Sequence, residues 1–288
     1  MLRLPLLRSF VGSTDRRSRH LVTAQDRCCS GPFSYIPVMA PLVLVHGITE
    51  SKQSWDPLLD ALSIDPASDV RRTVLAVDLR GHGEATRTPP FDLVAMATDV
   101  LAEMGTAGIA PRDAVIIGHS LGGTVVTAMA AVTEFRAVVN VDQPLRLADF
   151  QTALRQLEPL LRGDDANFFA AITMVFDAMR GPLSDEQYGR LTALRRPERT
   201  VVLGVWDPIF TLESGDLDAM VASMTRAITS PYLSLHGIDP GSEYGGWLTQ
   251  NITGAKTEVW PDHGHYPHLV DSRRFVDRIN AFIESTRS

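Results

Sequence analysis

The sequence predicts an α/β fold: a doubly wound, mostly parallel sheet with an inserted, mainly helical lid. From residue 41 onward, short apolar runs alternate with longer amphipathic segments, which is typical of βαβ units and right-handed crossovers. The short runs are apolar throughout, as expected for strands that are buried on both faces. One long interval, residues 145–230, breaks this alternation and reads mainly as helix.

The individual elements follow from these patterns in chain order. Apolar runs predict strands within residues 42–47, 73–83, 113–120, 136–144, 231–241 and 256–265. Helical spacing of apolar residues predicts helices at about 54–63, 91–105, 121–132, 243–252 and 272–285. In the last of these, Phe275, Ile279 and Phe282 lie on one face after a serine that can cap the helix.

The domain organisation predicted from these elements has three parts. Residues 39–144 and 231–288 form the α/β core, and residues 145–230 form the lid, with three amphipathic helices and one β-like run at 200–206. Residues 1–38 carry six arginines against two aspartates, a net charge of +4, and lack a sustained period. We expect a disordered extension there, with an organelle transit leader as the alternative, and Met39 directly precedes the first strand.

Composition limits the classes of partner. A formal charge of -7 disfavours nucleic acid and anionic membrane surfaces, and no stretch approaches the roughly 20 apolar residues of a membrane span. The two cysteines, Cys28 and Cys29, are adjacent, so neither a disulfide framework nor a cysteine metal site is indicated. We expect a cytoplasmic protein that acts on a small molecule; its oligomeric state stays open.

The strongest chemical motif is "GHSLG" at residues 118–122, between a buried strand and an apolar helix. In that context G-x-S-x-G places the serine on a cramped corner that lifts its hydroxyl above the sheet. A Cβ at Gly118 or Gly122 would collide with a neighbouring strand or helix. The helix N-terminus also favours developing negative charge, so Ser120 is predicted to be a nucleophile.

An acyl-transfer site needs N–H donors for the oxyanion. The backbone N–H of Leu121, directly after the nucleophile, and that of Ile48, in the loop after "HG" at 46–47, are the candidates. His82 in "RGHGEA" is expected to be structural rather than catalytic.

The catalytic base and acid are expected in loops that follow later strands. His265 is the predicted base because Gly264 permits a tight loop before it, whereas His263 and His268 are expected to be loop or surface residues. The acid orients the base, and Asp239 is the first choice. Asp142 and Asp207 are the alternatives, each of which can also be a turn aspartate.

Together these motifs resemble the α/β-hydrolase superfamily: the HG loop, "DLRGHG" at 78–83, "GHSLGG" at 118–123, and "GHYPH" at 264–268. The order Ser, Asp, His along the chain also fits that superfamily. Two features depart from it: Asp239 follows Gly237 by two residues where three are usual, and no β-hairpin precedes the first strand. The shorter architecture resembles the plant methylesterase and hydroxynitrile-lyase branch.

The resemblance implies a serine hydrolase that cleaves an ester or related carbonyl bond through an acyl-enzyme, without a metal or an organic cofactor. A lyase or C–C-bond hydrolase with the same triad, and a non-catalytic small-molecule receptor, are the alternatives. An apolar substrate pocket is expected to include His46, Phe169, Phe176 and Trp206.

Overall fold

The computed structural model describes residues 39–63 and 72–286. The expected extension at 1–38, both cysteines included, lies outside the described residues. Within the described residues six strands form one all-parallel sheet with the order β2-β1-β3-β4-β5-β6. The strands are β1 (Leu42–Val45), β2 (Val74–Val77), β3 (Val115–His119), β4 (Ala137–Val141), β5 (Tyr232–His236) and β6 (Lys256–Val259).

The strand order reverses at β1. The chain passes from β1 to β2 on one side, then returns to place β3 on the other side of β1. In open parallel sheets, the crevice beyond the carboxyl ends of the strands at such a reversal is the usual place for a ligand. The loops that follow β1 and β3 therefore occupy the position expected of a binding site.

Helices cover both faces of the sheet. Val43, Val45 and Ile116 point to one face, and Leu44 and Ile117 point to the other, because successive side chains of a strand alternate. The first face packs against α2 (Leu93–Thr106) and α3 (Leu121–Ala130), and the second against α1 (Asp56–Ser63) and α12 (Ser272–Ser285). All six predicted strands and these four predicted helices are confirmed, as is α10 (Tyr244–Asn251).

Residues between β4 and β5 form a helical segment, called here the inserted segment (145–230). The three predicted helices are present as α4 (Ala148–Leu161), α5 (Asp165–Ala178) and α6 (Asp185–Leu194). They are followed by α7 (Arg199–Val205), α8 (Asp207–Thr211) and α9 (Ser214–Thr225), and the short helix α11 (Pro267–Val270) precedes α12.

The β-like run predicted at 200–206 is wrong, since it forms α7. Val201 and Val202 are buried on one side of that helix, and a Cβ on Gly81 would lie 2.8 Å from the Val201 methyl groups. Contacts of this kind outweigh the strand preference of β-branched residues, because a short apolar run fits a buried helix equally well.

None of the helices in the described part of the chain has the length and apolarity needed to cross a membrane.

Candidate active site

The turn between β3 and α3 holds Ser120 in a backbone conformation that side chains rarely adopt, with φ 51° and ψ −122°. The neighbouring glycines make this turn possible. A Cβ on Gly118 would lie 2.0 Å from the carbonyl oxygen of Gly122, and one on Gly122 would lie 2.2 Å from that of Val45. A side chain at either glycine would therefore cause the collision predicted from the sequence. The strained backbone of Ser120 is of the kind found at functional sites.

The loop after β1 lies against this turn. An ideal Cβ built on Gly47 would approach the Ser120 Cβ to 3.3 Å, a tight contact that would require the loop or the turn to shift by a few tenths of an ångström. Ile48 follows directly in that loop, and Leu121 begins α3, where the helix supplies no acceptor for its N–H. The two predicted oxyanion donors thus belong to two backbone segments that lie against Ser120.

His265 lies beside Asp142. The Nδ1 of His265 is 2.6 Å from Oδ2 of Asp142, and both residues are buried. The other oxygen of Asp142 accepts hydrogen bonds from the N–H groups of Gly237 and Ile238, at 2.7 and 3.0 Å. Asp142 follows β4 directly, with φ 50°. The end of this strand therefore carries a carboxylate whose two oxygens both have hydrogen-bond partners.

The structure does not place Asp239 beside His265, which corrects the first-choice acid. Asp239 is exposed, and its Oδ1 accepts the N–H of Gly241 at 2.8 Å in a local turn. Asp207 lies exposed in the first turn of α8. Of the three candidates, Asp142 is the one that the fold brings to the imidazole.

Burial and hydrogen bonding set the charges at this pair. Burial lowers the pKa of His265, and although the hydrogen bond with Asp142 acts to raise it, the net pKa is below its ordinary value. Burial acts to raise the pKa of Asp142, but the hydrogen bond and charge of His265 and the Ile238 N–H lower it overall. A neutral imidazole next to a carboxylate is the arrangement needed for a general base.

His46 does not line a substrate pocket, contrary to prediction. It is fully buried; Nδ1 lies 2.7 Å from the carbonyl oxygen of Gly47, and Nε2 accepts the N–H of Leu79 at 3.0 Å. With both ring nitrogens bonded to main chain, its role is to join the loops after β1 and β2. His82 packs against it at 5.3 Å between ring centroids, and burial lowers the pKa of His82 to about 3, which agrees with its expected structural role.

The three aromatic residues expected in the pocket lie in different surroundings. Trp206 is 6% exposed and packs edge-on against Phe150. Phe169 is 50% exposed on α5, whereas Phe176 is buried beneath the guanidinium of Arg195, whose Cζ lies 4.0 Å from the ring centroid. Their part in substrate binding stays a prediction.

Four polar residues near His265 were not predicted from the sequence: the buried Glu50, His119 and Tyr266, and the half-buried Arg195. Nε2 of His119 donates to the carbonyl oxygen of His265 at 2.8 Å. The available signal was Glu50, in the loop that follows His46 and Gly47. A carboxylate is costly to bury unless it has polar partners, so a glutamate in this motif loop indicates polar residues around it.

The chain matches the model of the alpha/beta hydrolase family over residues 42–278. It therefore belongs to that family, which confirms the resemblance carried by the motifs, and it is a hydrolase.

Individual relatives are esterases by name. The chain is 40% identical over 254 residues to the pimeloyl-acyl-carrier-protein methyl ester esterase of Neisseria meningitidis serogroup B, covering 84% of this chain and 92% of that protein. It is 26% identical over 254 residues to the enzyme of the same name from Nitrosomonas europaea, covering 83% and 94%. An esterase from Rhodococcus sp. ECU1013 superposes with a TM-score of 0.61 at 25% identity, over 86% of this chain and 91% of that one.

Proposed function

We propose that this protein is a serine esterase in which Ser120 is the nucleophile, His265 the base and Asp142 the acid. The observation that carries the proposal is the buried hydrogen bond from His265 to Asp142, beside a serine held on a strained turn. The esterase names of the relatives support an ester as the bond that is cleaved. We infer a small, mainly apolar substrate, with the inserted segment as a lid over the site.

The proposed reaction begins when the Ser120 hydroxyl passes its proton to Nε2 of His265 and its oxygen attacks the ester carbonyl. The N–H groups of Ile48 and Leu121 stabilise the oxyanion. His265 then protonates the departing alkoxide, which leaves an acyl group on Ser120. In the second half, His265 takes a proton from water, the hydroxide releases the acid, and the proton returns to Ser120.

The arrangement of Asp142 explains why His265 can carry out these transfers. Because the carboxylate accepts from Nδ1, the proton of the neutral imidazole stays on that nitrogen and Nε2 is left to accept. When the imidazole is protonated, the same carboxylate stabilises its charge. The N–H groups of Gly237 and Ile238 keep Asp142 from rotating away.

The test combines covalent labelling with a substrate screen. Wild-type protein is treated with a fluorophosphonate and assayed on p-nitrophenyl esters of graded acyl length, beside amides, lactones and cyanohydrins. Ser120→Ala should abolish labelling and lower kcat by about 10⁴-fold or more, because triad members act as a unit. Ser223→Ala, which changes an exposed serine on α9, is the matched control and should react like wild type.

Each other outcome points to a named alternative. Labelling at Ser120 without turnover of any ester, but with turnover of cyanohydrins, would favour a lyase. Absence of labelling together with ligand binding would favour a receptor. Full labelling of Ser120→Ala would remove Ser120 as the nucleophile. A cytoplasmic location stays a prediction.

A further inference from the structure

The loop after β1 carries a buried carboxylate that the proposed reaction does not use. Glu50 is 3% exposed and lies three residues after Gly47. Burial acts to raise its pKa, but the neighbouring His119 and the charge of Arg195 lower the pKa to about 2. The fold therefore keeps an anion below the surface of the site, which is unfavourable unless several partners hold it.

The partners of Glu50 belong to the segments that carry the proposed reaction. Its Oε2 accepts the N–H of Gly47 at 3.4 Å, in the loop that contains Ile48. The same oxygen lies 3.8 Å from Nδ1 of His119, the residue directly before the nucleophile. One carboxylate oxygen thus faces both sides of the expected oxyanion site.

His119 extends the connection to the base. Its Nε2 is 2.8 Å from the carbonyl oxygen of His265, and since a carbonyl can only accept, Nε2 carries the proton. The rings of His119 and His265 also pack together, with 4.6 Å between centroids. His119 therefore contacts both the ring and the main chain of His265, and its other ring nitrogen, Nδ1, faces Glu50 at 3.8 Å.

The inserted segment reaches the same cluster. Arg195 donates to the hydroxyl of Tyr266 at 2.8 Å, and the N–H of Arg196 donates to the carbonyl oxygen of Thr49 at 2.9 Å. Burial raises the pKa of Tyr266 well above its ordinary value, and the charge of Glu50 acts in the same direction. The charged and titratable groups that interact with Glu50 include Arg195, Tyr266 and five histidines, namely His46, His82, His119, His265 and His268.

We propose that Glu50 is a positioning residue: through His119 it holds the main chain of His265, and through the Gly47 N–H it holds the oxyanion loop. This inference rests on the proposed function, since it assigns a role around the same site. Glu50 contacts no reacting atom. Its loss should therefore lower kcat while leaving KM nearly unchanged, because a small misplacement of a catalytic group is felt in the chemical step.

A second consequence separates positioning from general support of the fold. The negative charge of Glu50 acts to raise the pKa of His265, together with Asp142 and against His119. Removing that charge should move the acid limb of the activity profile to lower pH. A residue that only stabilised the fold would leave this midpoint in place.

The experiment uses Glu50→Gln, which keeps the shape and an oxygen for Gly47 but removes the charge. We expect kcat to fall by about 10- to 100-fold with KM within about threefold, and the acid limb to move to lower pH. Glu84→Gln is the matched control, because Glu84 also pairs with a cation, Lys52, but its side chain is 71% exposed. Its kcat and its pH profile should equal those of wild type.

A second variant tests the route through His119. His119→Phe keeps a ring in the packed position but has no nitrogen to face Glu50 or to donate to the His265 carbonyl. If Glu50 acts through His119, adding Glu50→Gln to His119→Phe should lower kcat little further. If the two residues act independently, the fold-losses of the single variants should multiply in the double variant. If Glu50→Gln melts below the assay temperature, the kcat and KM of His119→Phe alone test the same connection from its other end.

The outcomes distinguish this inference from the proposed function. Wild-type kcat and an unmoved acid limb in Glu50→Gln, with labelling still dependent on Ser120, would overturn the positioning role and leave the esterase proposal standing. Wild-type protein that is not labelled at Ser120 would overturn both.

Discussion

Replacing Asp142 by asparagine tests the central contact of the site. The side chain keeps its size, but one carboxylate oxygen becomes an NH₂ group. Asp142 accepts from His265 with one oxygen and from two main-chain N–H groups with the other. An asparagine has only one oxygen, so either orientation leaves a buried donor facing a donor.

The magnitude follows from these two orientations. If the amide oxygen faces the main-chain N–H groups, the NH₂ opposes Nδ1 of His265 and favours the tautomer with the proton on Nε2, which cannot accept from Ser120. If the side chain turns over, two main-chain N–H groups lose their acceptor instead. The same exchange in the serine-protease template lowers kcat about 10⁴-fold, or about 5 kcal/mol in activation free energy. We expect a loss of about 10³- to 10⁴-fold in kcat for Asp142→Asn.

The assay is steady-state hydrolysis of the best p-nitrophenyl ester, with thermal melting to confirm folding. A buried unpaired donor costs about 1–3 kcal/mol of stability, so the variant should remain folded at 25 °C. Asp239→Asn is the matched control: its side chain is exposed, and its hydrogen bond to the N–H of Gly241 can also be made by asparagine. Its kcat should stay within about twofold of wild type. A crippled Asp239→Asn beside an active Asp142→Asn would refute the assignment of the acid.

Three further predictions follow from the geometry and the pKa shifts. Gly122→Ala should lower the free energy of unfolding by about 2 kcal/mol or more, because its Cβ would lie 2.2 Å from a main-chain carbonyl oxygen. Gly105→Ala is the control: it has open space around it and should be neutral or slightly stabilising. Chemical denaturation measures both variants. Since His265 must be neutral to accept a proton and its pKa is lowered from 6.5, the acid limb of kcat/KM should have its midpoint below pH 6.5; a midpoint above that value would contradict the site. His82 and His236, with pKa lowered by burial to about 3 and about 4, contribute stability that is fully present above pH 6.5 and lost as the pH falls toward those values. The free energy of urea unfolding should be about 3 kcal/mol lower at pH 5 than at pH 6.5 for the pair, and equal free energies would count against their buried, neutral state.

The sequence by itself determined the architecture, and it predicted two members of the proposed triad. Continuous apolar runs predict buried parallel strands whatever their order in the sheet, and all six were located correctly. Ser120 and His265 are predicted to be catalytic because their signals are local: glycines two residues either side of a serine, and a glycine directly before a histidine. Such signals arise from steric limits on neighbouring backbone atoms, so they can be recognised in the sequence without knowledge of the rest of the fold.

Only the tertiary structure decided which carboxylate meets His265. Asp142 and Asp239 both follow strand-like runs, and the local sequence favoured Asp239 although its spacing from Gly237 is one residue shorter than usual. The sheet places β4 beside β5, so the amides of Gly237 and Ile238 turn toward the end of β4 and hold Asp142, while Asp239 continues into an exposed turn. The helix at 199–205 and the buried position of Glu50 were decided in the same way. Burial, hydrogen bonding and charge at these residues depend on groups far away in the chain, and pairing across the sheet and packing of the inserted segment determine which of those groups come close.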